Sequence, residues 1–320
     1  MPTALWITDR DTCALRQEAL PAGNGLVEVE TLFSGISRGT ESLVFAGAVP
    51  QTERERMRCP HQAGDFPFPV KYGYANVGRI DSGPRAGEIA FSLFPHQDRF
   101  AVADSSLTTL PADLPPGRAV LAANMETALN IVWDARAAPG DRIAVIGAGV
   151  VGTLAAWLCS RIPGTDVTLV DVNAARRMIA ERLGLAFALP DQTPKDCDVA
   201  IHASASAAGL QTALDSSGRE ARIVEASWYG DKPVDLSLGA NFHAGRLKLV
   251  SSQVGSIPAT HAPRWNFRRR LAKALDLLAS DEALDALISG TSSFATVDRD
   301  YAKILAAPAT LCHRIRYQGE

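Results

Sequence analysis

No stretch of this 320-residue chain is apolar for long. A membrane span needs about 20 predominantly apolar residues, and no run approaches that, so no membrane partner is expected. Cysteine is sparse: Cys13, Cys59, Cys159, Cys197 and Cys312 are scattered with no C-x-x-C spacing. That pattern excludes a disulfide framework and points to a reducing, cytoplasmic location. Excess charge is missing too. A formal net charge of −3 argues against a general nucleic-acid binder. The first twenty residues lack a basic segment followed by an apolar one, so no signal peptide is expected. Internal repeats and low-complexity linkers are also absent. What remains, 47% hydrophobic and 21% charged residues, is the composition of a globular protein long enough for two domains with separate cores.

The organising stretch is Arg142 to Gly152, read as a buried strand running into a G-x-G-x-x-G turn and then a helix to Arg161. Gly147 permits a tight turn, Gly149 lets backbone approach a pyrophosphate, and Gly152 lets helix pack on strand. The following amides, Val150 and Val151, open the helix N-terminus toward phosphate. A second apolar strand, Val167–Val170, ends in Asp171, about 20 residues beyond the last glycine as a dinucleotide fingerprint requires. Asp171 would accept from the adenosine ribose hydroxyls and repel a 2′-phosphate, and Val172 and Asn173 continue that loop. The expected cofactor is therefore NAD. NADP stays open because Arg176 and Arg177 stand where a phosphate could be met, or simply form an exposed helix face.

Residues 1–115 read as β-rich. Segments around Ala4–Ile7, Leu26–Leu32, Pro67–Ile80, Gly87–Phe94 and Asp98–Val102 alternate or run apolar between turn residues. The proline-rich turn Pro111–Pro116 is taken as a domain boundary. A helical pattern over Arg118–Ala137 follows, and strands and helices then alternate through Ser252. This is an α/β domain with a parallel sheet over 116–255. In the last part, 256–320, an amphipathic helix over Arg268–Leu278 precedes a helix and closing strand between Phe294 and Tyr317.

This layout resembles the medium-chain dehydrogenase/reductase superfamily, which includes the zinc-type alcohol dehydrogenases. There a Rossmann nucleotide-binding domain is inserted in a β-rich, GroES-like catalytic domain. The resemblance rests on the glycine turn with Asp171 and on Ser34–Glu41 in place of the family's Cys-containing loop. It also rests on Gly73–Gly78 in place of its Gly-His-Glu segment, and on Gly87–Ala90. Several segments, among them Gly35–Glu41, Val70–Tyr74 and Ser251–Gly255, are most similar to the branch containing bacteriochlorophyllide dehydrogenases.

Zinc is the point of departure. A catalytic zinc takes three ligands drawn from Cys, His and Asp/Glu, and the matching positions here hold Ser37, Tyr74 and Ala75. No cysteine lies between Cys59 and Cys159, so the four-cysteine structural lobe is missing as well. No metal is expected, and Cys59-Pro60-His61 alone does not make a site. Hydride transfer then needs another group on the substrate oxygen. Tyr74 is the candidate, with the Lys71 ammonium placed to lower its pKa. The alternative is a tyrosine packed in the wall. Ser37 and Thr40 form a hydroxyl relay, as the resemblance implies, or cap the next helix. His96 lies on a strand-joining turn, facing the site or solvent. His202 ends a strand of the parallel sheet and lines the nicotinamide pocket, or is a satisfied sheet-edge histidine. Arg264–Arg270 is either a substrate clamp or the solvated start of a helix.

The expected activity is NAD(P)(H)-dependent interconversion of an alcohol and a small-molecule carbonyl without zinc. Enone or quinone reduction, and a catalytically inactive nucleotide sensor, are the alternatives. The resemblance also implies a homodimer, paired through the last sheet strand around Leu247–Ser252.

Overall fold

The computed structural model describes residues 1–317. The chain divides into two compact units, Met1–Ala123 together with the segment from Leu275 onward, and Asn124–Ala274.

The first unit opens with β1 (Thr3–Asp9), β2 (Thr12–Gln17), β3 (Leu26–Ser37) and α1 (Arg38–Phe45). β4 (Ala63–Gly64), β5 (Val70–Lys71), β6 (Asn76–Ile80), β7 (Ile89–Ser92), β8 (Arg99–Ala103), β9 (Thr108–Thr109) and α2 (Pro116–Ala119) follow. The long strand β3 organises this unit. Its period-2 burial puts Val27, Val29 and Thr31 inside, against Ile80, Phe94, Phe100, Val102 and Leu107. β3 pairs antiparallel with β6 and β8.

α3 (Ala122–Ala135) leads into the second unit, which contains β10 (Arg142–Ile146), α4 (Val150–Cys159), β11 (Asp166–Val170), α5 (Arg177–Arg182) and β12 (Ala186–Ala188). It continues with β13 (Cys197–His202), α6 (Ala207–Ser216), β14 (Ser217–Glu225) and β15 (Lys248–Ser251), and the chain leaves it along α7 (Phe267–Ala279). Its sheet is parallel throughout, in the order β12-β11-β10-β13-β14-β15. Strands covered on both faces read as continuous apolar runs, and Ile143–Ile146 are all buried. The order reverses at β10, so the crevice beyond the carboxyl ends of β10 and β13 is the ligand-binding position of this topology.

The chain then returns to the first unit as β16 (Ile288–Ser293), α8 (Val297–Ala306) and β17 (Cys312–Arg316). β17 lies antiparallel to β3, with Cys312 opposite Ser37. Among the described residues the larger sheet of this unit runs β16-β17-β3-β6-β7-β9 with β8 also on β3, and a smaller one runs β2-β1-β5-β4.

Three details depart from the sequence reading. The helix expected over 118–137 is two helices, because Pro116 starts α2 and the chain turns at Val120–Leu121 before α3. β16 is an addition: no strand is expected over Ile288–Ser293, yet it pairs with β17. The central unit runs from 124 to 274 rather than 116 to 255. Residues 256–274 belong to it because Trp133 stacks on His261 at 4.5 Å and Arg270 pairs with Glu126 at 3.0 Å.

Candidate cofactor and active site

The glycine turn in the second unit assigns a separate job to each glycine. Gly147 has φ +110°, and a Cβ there would lie 2.7 Å from the Ala203 carbonyl carbon. At Gly152 a Cβ would meet the Gly147 oxygen at 2.0 Å. These two are demanded by the fold itself. A Cβ on Gly149 would meet nothing within 4 Å, so its small size serves only what approaches from outside. Gly149 is the N-cap of α4, with no side chain capping the helix, so the first amides, at Val150 and Val151, remain for an anion.

Asp171 closes the fingerprint. Its Oδ2 accepts from the Ala148 N–H at 2.7 Å and its Oδ1 from the Asn173 N–H at 2.8 Å. Each oxygen keeps a lone pair for a ribose hydroxyl. The neighbouring Val172 is 83% exposed. Asn173 has a local task, accepting from Ala175 N–H at 3.1 Å as the cap of the next turn. The residues present therefore fit a dinucleotide. Arg176 does not fit the expectation of a phosphate contact or an exposed helix face, because it is buried. The Arg177 guanidinium lies over the Phe187 ring at 4.9 Å. His202 ends β13 with no exposed surface, hydrogen-bonded on both ring nitrogens.

In the first unit the structure gathers three hydroxyls. Tyr74, half-buried, follows Gly73, and the Ser37 and Thr40 hydroxyls at the start of α1 hydrogen-bond toward its phenol. Ser37 occupies the N-cap position of α1 without its side chain capping the helix. Burial drives the Tyr74 pKa upward and the Glu41 charge adds to that, while the bonds from Ser37 and Thr40 act in the opposite direction and do not overcome it. The phenol thus stays protonated at neutral pH, a proton donor rather than a phenolate.

Lys71 corrects the expectation. Its ammonium is held by Glu18 Oε2 and Gln97 Oε1, both at 2.8 Å, and it is not a cause of any shift at Tyr74. His96 is also misjudged as a turn residue facing site or solvent. It is 1% exposed, with Nε2 3.0 Å from Glu41 Oε2 and Nδ1 2.8 Å from Ser34 Oγ. Gly73 makes room for it, since a Cβ there would lie 3.0 Å from the His96 ring.

The buried residues behind this cluster escape sequence reading. Glu41 has no exposed surface and accepts from Ser37 N–H at 2.7 Å, from His96, and from Tyr301 Oη at 2.6 Å. Ser34 Oγ is also 2.9 Å from Tyr317 Oη. The only signal for Glu41 is a carboxylate four residues into a helix that opens with Ser37.

Ser37, Tyr74 and Ala75 offer two hydroxyls and a methyl where a zinc ion takes Cys, His or carboxylate ligands. Among the described residues, no group of three or more His, Cys, Asp or Glu side chains is disposed to hold a metal. Cys59 is buried with Sγ 3.4 Å from the Gly73 oxygen, its thiol pushed up to about 12 by burial, while His61 packs beside Phe94 at 5.3 Å. The basic run does not share one face either: Arg269 lies over Trp265 at 4.0 Å, and Arg270 is buried against Glu126, Asn130 and the Val254 oxygen.

No protein-family model matches the chain. It is 26% identical over 303 residues to D-guloside 3-dehydrogenase of Escherichia coli K12, covering 83% of this chain and 86% of that protein. It is 24% identical over 225 residues to 2-dehydro-3-deoxy-L-galactonate 5-dehydrogenase of Pseudoalteromonas atlantica, covering 66% and 62%. Among solved structures, L-idonate 5-dehydrogenase of Escherichia coli K-12 superposes with a TM-score of 0.80 at 12% identity, over 99% of this chain and 98% of that one. A short-chain alcohol dehydrogenase of Escherichia coli CFT073 complexed with NADH gives 0.76 at 17%, over 99% of both. Together with the parallel sheet, its glycine turn and the β-rich unit, these likenesses show the fold of the medium-chain dehydrogenase/reductases, and the curated relatives to which the chain is similar are dehydrogenases of the alcohol dehydrogenase-like kind.

Proposed function

We propose that the chain is an NAD(H)-dependent dehydrogenase that interconverts a secondary hydroxyl of a sugar-like or polyol substrate and the corresponding ketone without zinc. The observation that carries this reading is the half-buried Tyr74 phenol beside the Ser37 and Thr40 hydroxyls, with Tyr74 and Ser37 at positions that the resemblance matches to metal ligands; burial and the Glu41 charge favour the neutral phenol. The sugar-like substrate is suggested by the relatives, which act on a guloside and a galactonate derivative.

Gly147, Gly149, Val150 and Val151 would hold the pyrophosphate, and Asp171 the ribose. The bound nicotinamide supplies the hydride in the reductive direction. Tyr74 Oη donates a hydrogen bond to the substrate carbonyl oxygen and passes its proton there as the alcohol forms. Ser37 and Thr40 hold the phenol's oxygen in place. The protonated phenol is the form that ketone reduction uses. Asp171 selects NAD over NADP by repelling a 2′-phosphate.

The chain works as a homodimer through the edge strand β15, and in the cytoplasm, in keeping with five free cysteines. No helix is long and apolar enough to cross a membrane among the described residues.

Two measurements test this. Tyr74→Phe should lower kcat/KM for ketone reduction by about 10²- to 10⁴-fold with NADH affinity unchanged. Metal analysis of active protein should find zinc well below one per chain. Full turnover in the phenylalanine variant, or one tightly held zinc whose removal abolishes activity, overturns the reading.

A further inference from the structure

The second unit holds a polar cluster that neither the glycine turn nor the Tyr74 chemistry uses. His202 Nδ1 lies 2.7 Å from Glu225 Oε2, and its Nε2 lies 2.6 Å from Ser204 Oγ. Glu225 ends β14 and is fixed twice more, accepting from Tyr229 Oη at 3.0 Å and from Ser227 N–H at 2.7 Å. Burial opposes its charge, but the hydrogen bonds from His202 and Ser227 outweigh that and keep its pKa below the usual carboxylate value. An ionised carboxylate can only accept, so Nδ1 carries the imidazole proton and the bare Nε2 accepts from the Ser204 hydroxyl. Ser206 completes the chain, its hydroxyl 2.9 Å from Ser204 Oγ and accepting from Gly209 N–H at 3.0 Å.

The backbone is shaped around this contact. Ser204 is exposed, in the turn between β13 and α6. The next residue, Ala205, has φ +51° and donates its N–H to Ser227 Oγ at 3.0 Å. A Cβ on Gly209 would stand 2.2 Å from Ser204 Oγ and 2.8 Å from His202 Nε2. The hydroxyl can reach the imidazole only because residue 209 has no side chain.

We infer that Ser204 is an activated nucleophile and that Ser204, His202 and Glu225 form a second catalytic site, an acyl-transfer centre for small activated esters. Ser204 Oγ bonds to the acyl carbon as the ester C–O bond breaks. Its proton goes to His202 Nε2 and from there to the departing alcohol. Water then attacks the acyl carbon, gives a proton to Nε2, and releases the carboxylic acid as Ser204 takes the proton back. Glu225 holds the imidazole in the required tautomer and offsets its charge when protonated. A Cβ on Gly147 would lie 2.8 Å from Ser204 N, so Ser204 borders the glycine turn. On the cofactor reading proposed above, NADH and an ester compete for this place; the nucleophile itself does not depend on that reading.

The test treats full-length protein with a biotinylated fluorophosphonate and, separately, with p-nitrophenyl acetate. The expected result is one label per chain on the peptide bearing Ser204, and continuous p-nitrophenol release. Both should fall at least about 100-fold in Ser204→Ala and His202→Gln, and about 10-fold in Glu225→Gln, with thermal melts showing that each variant is folded. Failure of the wild-type protein to label where a serine esterase labels completely overturns the proposal, as does label or hydrolysis surviving in Ser204→Ala. NADH should slow labelling. Labelling at Ser204 that NADH leaves unchanged keeps the nucleophile and removes the competition, and a direct NADH titration then shows whether the cofactor reading also fails.

Discussion

The Asp171 carboxylate accepts a 2.7 Å hydrogen bond from the backbone N–H of Ala148. The acid read from sequence as a ribose ligand is thus also the brace that ties the end of β11 to the glycine turn. Asp171→Ala should therefore do two things at once. It should weaken NADH binding, and it should destabilise the protein by about 1 to 3 kcal/mol through loss of a charge-assisted acceptor. Fluorescence titration and thermal unfolding separate the two. A variant with native stability would show that the brace carries no weight.

The glycines of the turn should part company in the same pair of measurements. Gly149→Ala should fold with native stability, because its Cβ meets open space, yet bind NADH at least about tenfold more weakly, since the methyl occupies the pyrophosphate's approach. Gly152→Ala should lose stability outright, its Cβ falling 2.0 Å from the Gly147 oxygen. Equal NADH affinity in Gly149→Ala and the parent chain would remove the pyrophosphate from this turn.

These features were legible because they are local. A glycine turn between a buried strand and a helix, with an acid at the end of the next strand, is written within one short stretch of chain. The Glu225–His202–Ser204 cluster is not. His202 and Glu225 meet because β13 and β14 lie side by side in a register that pairs those two residues, and no local pattern states a register. Glu41 and His96 likewise meet across 55 positions of sequence. Lys71 stands three residues before Tyr74, close enough in sequence to suggest a contact, but its ammonium goes to Glu18 and Gln97. Arg270 reads as the end of a basic surface run and is a buried partner of Glu126.

Acid stability should report the Glu225–His202 pair. The Glu225 pKa is lowered from 4.5 in the folded chain, so its ionised form contributes stability above the unfolded value, and that contribution is lost as pH falls through the folded one. His202→Gln should accordingly be less stable than the parent chain at pH 7, with the difference narrowing below pH 4.5. Urea unfolding across that interval measures it. A gap that stays constant through the acid range would mean that the pair's ionisation contributes nothing.

Glu41 offers the sharpest check on Tyr74. Burial first, and the Glu41 charge second, raise the phenol's pKa from its ordinary 10. In ketone reduction the phenol must carry its proton, so the parent chain should show a kcat/KM profile that stays flat through the pH range where an exposed tyrosine would ionise. Glu41→Gln removes the charge and keeps one oxygen, which can still accept from Ser37 N–H, while its amide nitrogen takes the place of the oxygen that faces Tyr301 Oη and His96. The Tyr74 pKa should then fall, and the proton donor should be lost at lower pH, so the alkaline limb of the profile moves down while NADH affinity holds. A merely structural role for Glu41 would lower activity evenly at all pH values. The same limb in Tyr74→Phe should be absent, and if Glu41→Gln moves a limb that the phenylalanine variant still shows, the titrating group is not the phenol.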